Sequence, residues 1–341
     1  MLEVGIVGCG NHANRHAAVI GDAAEARIVG CADLDETHAS DFAAHHDVPA
    51  SYGSLEALVE TEMPDALVIA AVPTAHPDLL ETAMDHGVDG VLCEKPMVVP
   101  GDETRAHELR QLATATDTVV MEGLMYRHHP QLQRAIELVT TGRIGDVKYV
   151  HGQFTDYYNP DPDNWRNDAA LGGGSMGAKG CYLVDAATVF AGASPVEAVC
   201  RETRDPDFEV EIGQTGTIVY ENGVTAQFET NHRSVWREEL KISGTEGTLV
   251  IPHAIVTTDQ PREIELQLGG AYEHEPVGTE SISFEPANSY ALQFANFRAC
   301  VRGEADPVVS FADTVTNYAI AAALIRSTDT GQVEPVDVPE R

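Results

Sequence analysis

The first thirteen residues constrain this chain most. Leu2-Glu3-Val4-Gly5-Ile6-Val7 reads as a short apolar strand, Gly8-Cys9-Gly10-Asn11-His12-Ala13 follows at once, and a helical stretch through Ala17, Ala18 and Ile20 comes next. The G-x-G-x-x-A spacing between a strand and a helix is that of a dinucleotide-binding turn. Gly8 permits the tight turn, and Gly10 lets the backbone approach a pyrophosphate at the helix N-terminus, which Asn11 and His12 open. Ala13 allows close packing of helix on strand. A second strand, 26–32, ends at Asp33, 25 residues after Gly8. An acid at that place accepts hydrogen bonds from ribose hydroxyls. Leu34 and Asp35 follow it, with no Arg or Ser, so a 2′-phosphate would meet carboxylates without a cationic partner. NAD is therefore favoured, with NADP possible. The same Asp33 is also compatible with a surface residue that caps the next helix.

Alternation of strand and helix continues to about residue 122. Helices are expected at 36–45, from an N-cap at Ser54, at 77–86 and at 102–115, and strands at 66–72, 90–93 and 118–121. Regular alternation implies a parallel sheet covered on both faces. Strand 90–93 runs into Glu94-Lys95-Pro96, and strand ends are where open α/β sheets hold ligands. The chain has four lysines in 341 residues, so a lysine kept at such a place points to chemistry. The plain alternative is a surface Lys95 paired with Glu94, a contact of little worth. Strand 66–72 ends at Pro73-Thr74, and His76 follows, either near a bound cofactor or only marking a helix start.

The pattern then changes. A helix near 130–141, a strand 146–156, a polar loop from Tyr157 to Leu171 and a helix 175–191 precede successive strands between 195 and about 268, with turns at 221–223 and 244–247. Asn222-Gly223 between apolar runs is a hairpin signal. Helices at 288–302 and 311–327 and a strand near 332–338 close the chain. The expected architecture is an α/β dinucleotide-binding Rossmann domain over 1–122. An α+β domain over 123–341, with a large open antiparallel sheet and flanking helices, follows it. The final helix and strand are free to pack back on the first domain.

With 54 acids against 21 bases the net charge is −33, which makes nucleic acid and anionic membranes poor partners. The acids are spread along the whole chain, a distribution that suits solubility in high salt rather than an acidic tail. Six scattered cysteines without C-x-x-C suit free thiols in a reducing compartment. Strand 1 starts at residue 2 and no apolar run reaches membrane length, so a cytoplasmic protein is expected. The adjacent pairs His45-His46 and His128-His129 cannot easily share an ion from a helix face, and no metal is expected.

In the order of its motifs the chain resembles the Gfo/Idh/MocA family (glucose–fructose oxidoreductase, inositol dehydrogenase, MocA) over nearly its whole length. The residues that carry the resemblance are Gly8-Cys9-Gly10, Glu94-Lys95-Pro96, 142–147, Gly172-Gly173-Gly174 with Gly180-Cys181-Tyr182, and Gly244-Thr245-Glu246-Gly247-Thr248. The resemblance implies a Rossmann domain and an open sheet through which such proteins often form dimers, so a homodimer or homotetramer is expected. Inositol-type members carry Asp and His four residues apart on the active-site helix. Here those positions are Ala178 and Tyr182, and tyrosine there looks like the branch of aldose and dihydrodiol dehydrogenases, as does 122–130.

Oxidising a sugar hemiacetal requires a hydride acceptor and a base for the hydroxyl proton. Tyr182 serves as that base if its pKa, about 10 when unperturbed, is lowered by the Lys95 ammonium. Asp185, one helical turn on, is placed to orient Lys95 or the sugar, and Lys179 either touches the pocket or faces solvent. Asp156, Tyr157, Trp165, Arg166 and Asn167 offer stacking and hydrogen bonds to a polyhydroxylated ring, or form only a polar surface loop. Arg127 and His128 open the second domain. The expected function is an NAD(P)-dependent sugar or polyol dehydrogenase, with a dicarbonyl or dihydrodiol-type enzyme as alternative and a non-catalytic dinucleotide sensor below both.

Overall fold

Short buried strands joined through helices have only one economical arrangement, a parallel sheet with both faces covered. The computed structural model, which describes residues 1–158, 161, 164–256, 260–269 and 277–339, has that sheet at its N-terminal end. Its strands are β1 (Leu2–Val7), β2 (Ala26–Ala32), β3 (Ser51–Tyr52), β4 (Ala66–Ile69), β5 (Gly90–Cys93) and β6 (Val119–Glu122). They lie in the order β3-β2-β1-β4-β5-β6, all parallel. Between them run α1 (Asn11–Asp22), α2 (Glu36–His45), α3 (Leu55–Glu62), α4 (His76–Asp85) and α5 (Glu103–Thr116). Every residue of β4 and β5 is buried, as a doubly covered sheet requires. Ser54 caps α3 by accepting from the Ala57 amide.

The chain divides into two compact units, 1–125 with 290–315, and 126–289 with 316–341. The second unit holds α6 (Pro130–Thr140), β7 (Val147–Tyr157), α7 (Cys181–Ala191), β8 (Pro195–Arg204), β9 (Glu211–Tyr220), β10 (Thr225–Asn231), β11 (Arg233–Gly244), β12 (Gly247–Pro252), β13 (Arg262–Leu268) and β14 (Gly278–Phe284). Helix α8 (Ser289–Val301) lies almost wholly in the first unit, where Phe297 and Val301 pack on Gly90 of β5. Helix α9 (Phe311–Thr330) crosses the division, and β15 (Glu334–Pro335) pairs with β8.

The second sheet runs β14-β13-β12-β11-β7-β10-β9-β8-β15. It is antiparallel except where β10 lies parallel to β7. The expectation of an antiparallel sheet came from short turns between neighbours. Strand β10 reaches β7 only after α7 and the β8–β9 hairpin have intervened, so turn logic does not govern that pair. Strand β14 lies beyond the expected limit near 268. Its residues are Gly-Thr-Glu-Ser-Ile-Ser-Phe, none of them buried, and an edge strand of that kind carries almost no hydrophobic pattern. The expected helix 175–191 begins instead as a π-helical turn, Met176–Gly180, before α7.

Candidate active site

The loop after β1 is shaped by backbone contacts. Gly8 has φ +83°, and a Cβ there would stand 2.7 Å from the Ala70 carbonyl carbon and the Ala71 nitrogen. Only glycine fits a turn pressed so closely on the chain leaving β4. Strand order reverses at β1, between β2 and β4, the place where open α/β sheets bind their ligands. Gly10 is the N-cap of α1 and brings no side-chain acceptor, and the space where its Cβ would stand is open. The first-turn amides, including that of the fully buried Ala13, are thus left for an anion, and the loop fits a pyrophosphate.

Asp33 holds this loop. Its Oδ2 accepts from the Cys9 amide at 2.8 Å and its Oδ1 from the Asp35 amide at 2.9 Å. Asp35, not Asp33, caps α2, by accepting from the Thr37 amide at 2.9 Å.

The segment after β5 is fixed from several sides. The Glu94 amide donates to the Ile69 carbonyl at 2.8 Å, and the Lys95–Pro96 bond is cis. Glu94 and Lys95 are both buried, so the surface ion pair is not what the structure shows. Glu94 instead accepts from His16 Nε2 at 2.9 Å, with His12 Nδ1 at 3.6 Å from the same oxygen. Burial opposes its charge, yet the His12 and His16 imidazoles hold its carboxyl well below the usual range. Glu122 accepts from the Met97 amide at 3.0 Å.

His76 is buried, with Nδ1 2.8 Å from the Pro96 carbonyl and Nε2 3.0 Å from the Ala71 carbonyl. It therefore sits between the Lys95 segment and the chain that backs Gly8. Burial pushes its pKa down. In the 3-10 turn Pro73–Ala75, Pro73 is buried and Thr74 exposed.

Sequence reasoning missed His16 and Tyr290. The Tyr290 ring stands edge-on to His16 at 5.3 Å, and the Arg15 guanidinium lies over that ring. The four-residue spacing of His12 and His16 on α1 was the available signal. It is also a metal-ligand spacing, but His16 is taken up by Glu94, and no His, Cys, Asp and Glu cluster among the described residues is arranged to hold a metal ion.

In the second unit the helix that carries Tyr182 is anchored at its start by Glu211 of β9. Gly174 has φ +117°, and a Cβ there would meet Glu211 Oε1 at 2.6 Å. Glu211 accepts from the Met176 amide at 2.7 Å and from the Ser175 amide. Burial pushes its carboxyl up to about 7, against the pull of those amides.

Tyr182 is buried, edge-on to Tyr126 at 5.6 Å and tilted on Phe154 at 6.2 Å. Asp185 accepts from the Tyr126 hydroxyl, from Arg127 Nη1 at 3.0 Å and from Asn317 Nδ2 at 3.0 Å. Both Asp185 oxygens are thus engaged inside this unit, and Asp185 orients Tyr126 and Arg127. Burial, then the Asp185 charge, push the Tyr126 phenol far up, so it stays a proton donor to the carboxylate. His128 is buried and neutral, pushed down to about 4 by burial and Arg127.

Lys179, in the π-helical turn, is buried and does not face solvent. It donates to Asp156 at the end of β7, to the Asn231 carbonyl at 3.2 Å and to His232 Nδ1 at 2.5 Å. Tyr157, next on the strand, points the other way and is 66% exposed. Beyond it, Arg166 stacks over Trp165 at 4.6 Å and Tyr158 at 5.1 Å. Asn167 is buried and bonded to the Asp161 carbonyl and to Arg233. Residues 159, 160, 162 and 163 of this loop lie outside the described residues.

Known proteins match both halves of this arrangement. Residues 2–124 match the oxidoreductase family with an NAD-binding Rossmann fold, and residues 132–250 match the GFO/IDH/MocA C-terminal domain. A D-xylose 1-dehydrogenase (NADP(+)) of Haloferax volcanii is 31% identical over 316 residues, which are 92% of this chain and 94% of that protein. The chain belongs to the Gfo/Idh/MocA family. Like other members of this family it is an oxidoreductase with an NAD(P)-binding domain. A trans-1,2-dihydrobenzene-1,2-diol dehydrogenase of Xenopus tropicalis is 25% identical over 301 residues, 86% of this chain and 87% of its own. The Gfo/Idh/MocA fold is also that of a 3-ketoreductase of Actinomadura kijaniata solved with NADP and TDP-benzene. That structure has TM-score 0.86 and 22% identity, with 96% of this chain and 97% of that chain covered.

Proposed function

We propose that this oxidoreductase transfers hydride between nicotinamide C4 and a sugar or polyol carbon, with the C1 of an aldose as the first candidate. The observation that carries the reading is Tyr182. It is buried, edge-on to Tyr126 and tilted on Phe154, on the helix whose start Glu211 anchors, and it is the phenol to which this reading gives the proton. The full-length likeness to a D-xylose dehydrogenase supports the same class. A bound nicotinamide would supply the acceptor for the hydride and its electron pair. Tyr182 takes the hydroxyl proton, and the Lys95 ammonium favours the phenolate that does so. In reduction Tyr182 returns the proton. Residues 1–122 serve the dinucleotide and 123–341 the substrate, with Arg127 and Asp185 as positioning residues rather than substrate contacts. Gly8, Gly10, Asn11, His12, Ala13, Asp33, Pro73, Thr74 and Glu94 line or hold the cofactor site, and His76 braces it.

NAD remains the favoured cofactor, because Asp33 and Asp35 stand where a 2′-phosphate would need a cation. The relative named for NADP(+) makes this the finer question to settle. A homodimer or homotetramer through the second sheet is supported by Tyr149 and Val235, large apolar side chains exposed on β7 and β11. No helix among the described residues is long and apolar enough to cross a membrane, and all six cysteines are free, which suits a cytoplasmic enzyme.

Turnover of aldoses, dicarbonyls and dihydrodiols with NAD and NADP separately tests the reading. Oxidation of an aldose supports it. Turnover of only a dicarbonyl or dihydrodiol replaces it with the second enzyme class, for which the dihydrodiol dehydrogenase relative speaks. Cofactor binding without hydride transfer to any of them leaves a sensor.

A further inference from the structure

Two of the four lysines, Lys148 and Lys241, are exposed, and the other two are buried. Lys95 has a place in the chemistry proposed above. Lys179 does not, and a buried ammonium is costly unless its partners justify it. It sits in a π-helical turn, a rare distortion that is frequent at functional sites. It holds a carboxylate from another element, Asp156 of β7.

The three polar groups of this cluster differ in what they have left to offer. The Lys179 ammonium has three protons and faces three acceptors, Asp156 Oδ1, the Asn231 carbonyl and His232 Nδ1. It lies 4.8 Å from the Tyr158 ring centre and 5.7 Å from that of Phe154. His232 Nδ1 accepts from an ammonium, so that imidazole is neutral, and burial pushes its pKa down. The side chains of Lys179 and His232 are 2% and 1% exposed, whereas that of Asp156 is 13% exposed. Asp156 Oδ2 has no hydrogen-bond partner among the described residues, although Oδ1 is tied. The cluster is charge-balanced and presents one carboxylate oxygen outward. Phe154, two residues earlier on β7, lies tilted on Tyr182 and beside Lys179, so Asp156 and the proton carrier share one wall.

We infer that Asp156 is the residue by which this enzyme selects its substrate, its Oδ2 accepting a hydrogen bond from one ring hydroxyl of a sugar, with Lys179 and His232 as the positioning residues that hold it. The inference rests on the sugar dehydrogenase reading and deepens it. A carboxylate fixed in one orientation discriminates by hydroxyl configuration. A site built to bond a hydroxyl rejects the analogue that lacks it, because the acceptor is then left unpaired. Lys179 gives the carboxylate its charge and direction without touching substrate.

The test is Asp156→Asn, assayed against the preferred aldose, its epimers and its monodeoxy analogues, with cofactor affinity and thermal midpoint measured alongside. Asp156→Asn is expected to raise KM for the preferred aldose about 10- to 100-fold, the range of a charged hydrogen bond. Cofactor affinity stays within about twofold, and one deoxy analogue loses nothing further in the variant. A purely structural role would move the thermal midpoint and leave the epimer and deoxy pattern as in the wild type. That pattern, with KM unmoved and turnover still dependent on Tyr182, overturns this inference alone. If the wild-type enzyme neither oxidises any sugar nor binds D-xylose or D-glucose by calorimetry, the functional reading falls as well. Should Asp156→Asn not fold, Lys179→Arg keeps the charge but displaces the carboxylate. It is expected to raise KM with cofactor affinity unchanged, and an unmoved KM overturns the inference.

Discussion

The loop after β1 and the helix that carries Tyr182 are built by opposite means. Around Gly8 the working parts are backbone: a left-handed glycine, a second glycine with open space before it, and first-turn amides without a side-chain cap. One carboxylate, Asp33, steadies that loop. Around Tyr182 the parts are side-chain charges out of water, Asp185 with Arg127 and Asp156 with Lys179, and the carboxylate of Glu211 under the helix start. A phosphate site asks for amides in a fixed curve, which any sugar-independent enzyme can share. A substrate site asks for particular donors and acceptors, and these need rigid neighbours.

Four substitutions break or sharpen that contrast. Lys95→Ala is expected to lower turnover about 10²- to 10⁴-fold while leaving cofactor affinity within a few-fold, as read by steady-state rates and a binding titration. Arg127→Met strands the buried Asp185 carboxylate and is expected to cost about 3–5 kcal/mol of stability in a denaturant melt. A loss below about 1 kcal/mol would mean that the second region does not depend on its charge pairs.

Glu211 has a folded pKa raised from 4.5 to about 7, so folding favours its neutral form. Its contribution to stability is full below about pH 4.5 and declines as pH rises to about 7, by an amount of order 3 kcal/mol. His128 and His129, held down at about 4, act with the opposite sign, since their contribution is lost as pH falls from 6.5 to about 4. The difference between wild type and Glu211→Gln isolates the first effect. The variant is expected to lack the decline between pH 5 and 7, and identical slopes would place the Glu211 titration elsewhere.

Gly8→Ala brings a Cβ to 2.7 Å from backbone at φ +83° and is expected to cost about 1–3 kcal/mol, with cofactor binding weakened more than tenfold. Normal cofactor affinity in that variant would contradict the backbone account of the loop.

The contrast also explains what was readable in the sequence. Backbone geometry restricts residue type, so Gly8, Gly10 and the acid ending β2 announce themselves by spacing. The parallel sheet followed from the alternation, and the helix starts from caps such as Ser54. Side-chain pairing leaves no local trace. Asp185 and Arg127 stand 58 residues apart and Lys179 and His232 stand 53 apart, so neither the role of Asp185 nor the burial of Lys179 could be read from spacing. The scarcity of lysine pointed to Lys95 and applied equally to Lys179. The π-helical turn was hidden because its residues satisfy a helical pattern, and β14 because an exposed edge strand needs no apolar face.

The central claim is that Tyr182 moves the proton for hydride transfer with a sugar. The direct measurement is the absorbance of reduced nicotinamide in molar salt, with pentoses, hexoses, inositols and uronic acids supplied to wild type and to Tyr182→Phe. The account predicts reduction with at least one aldose in the wild type, and a fall of about 10²- to 10⁴-fold in the variant with cofactor still bound. Equal rates in the two proteins, or silence with every sugar while cofactor binds, would contradict it.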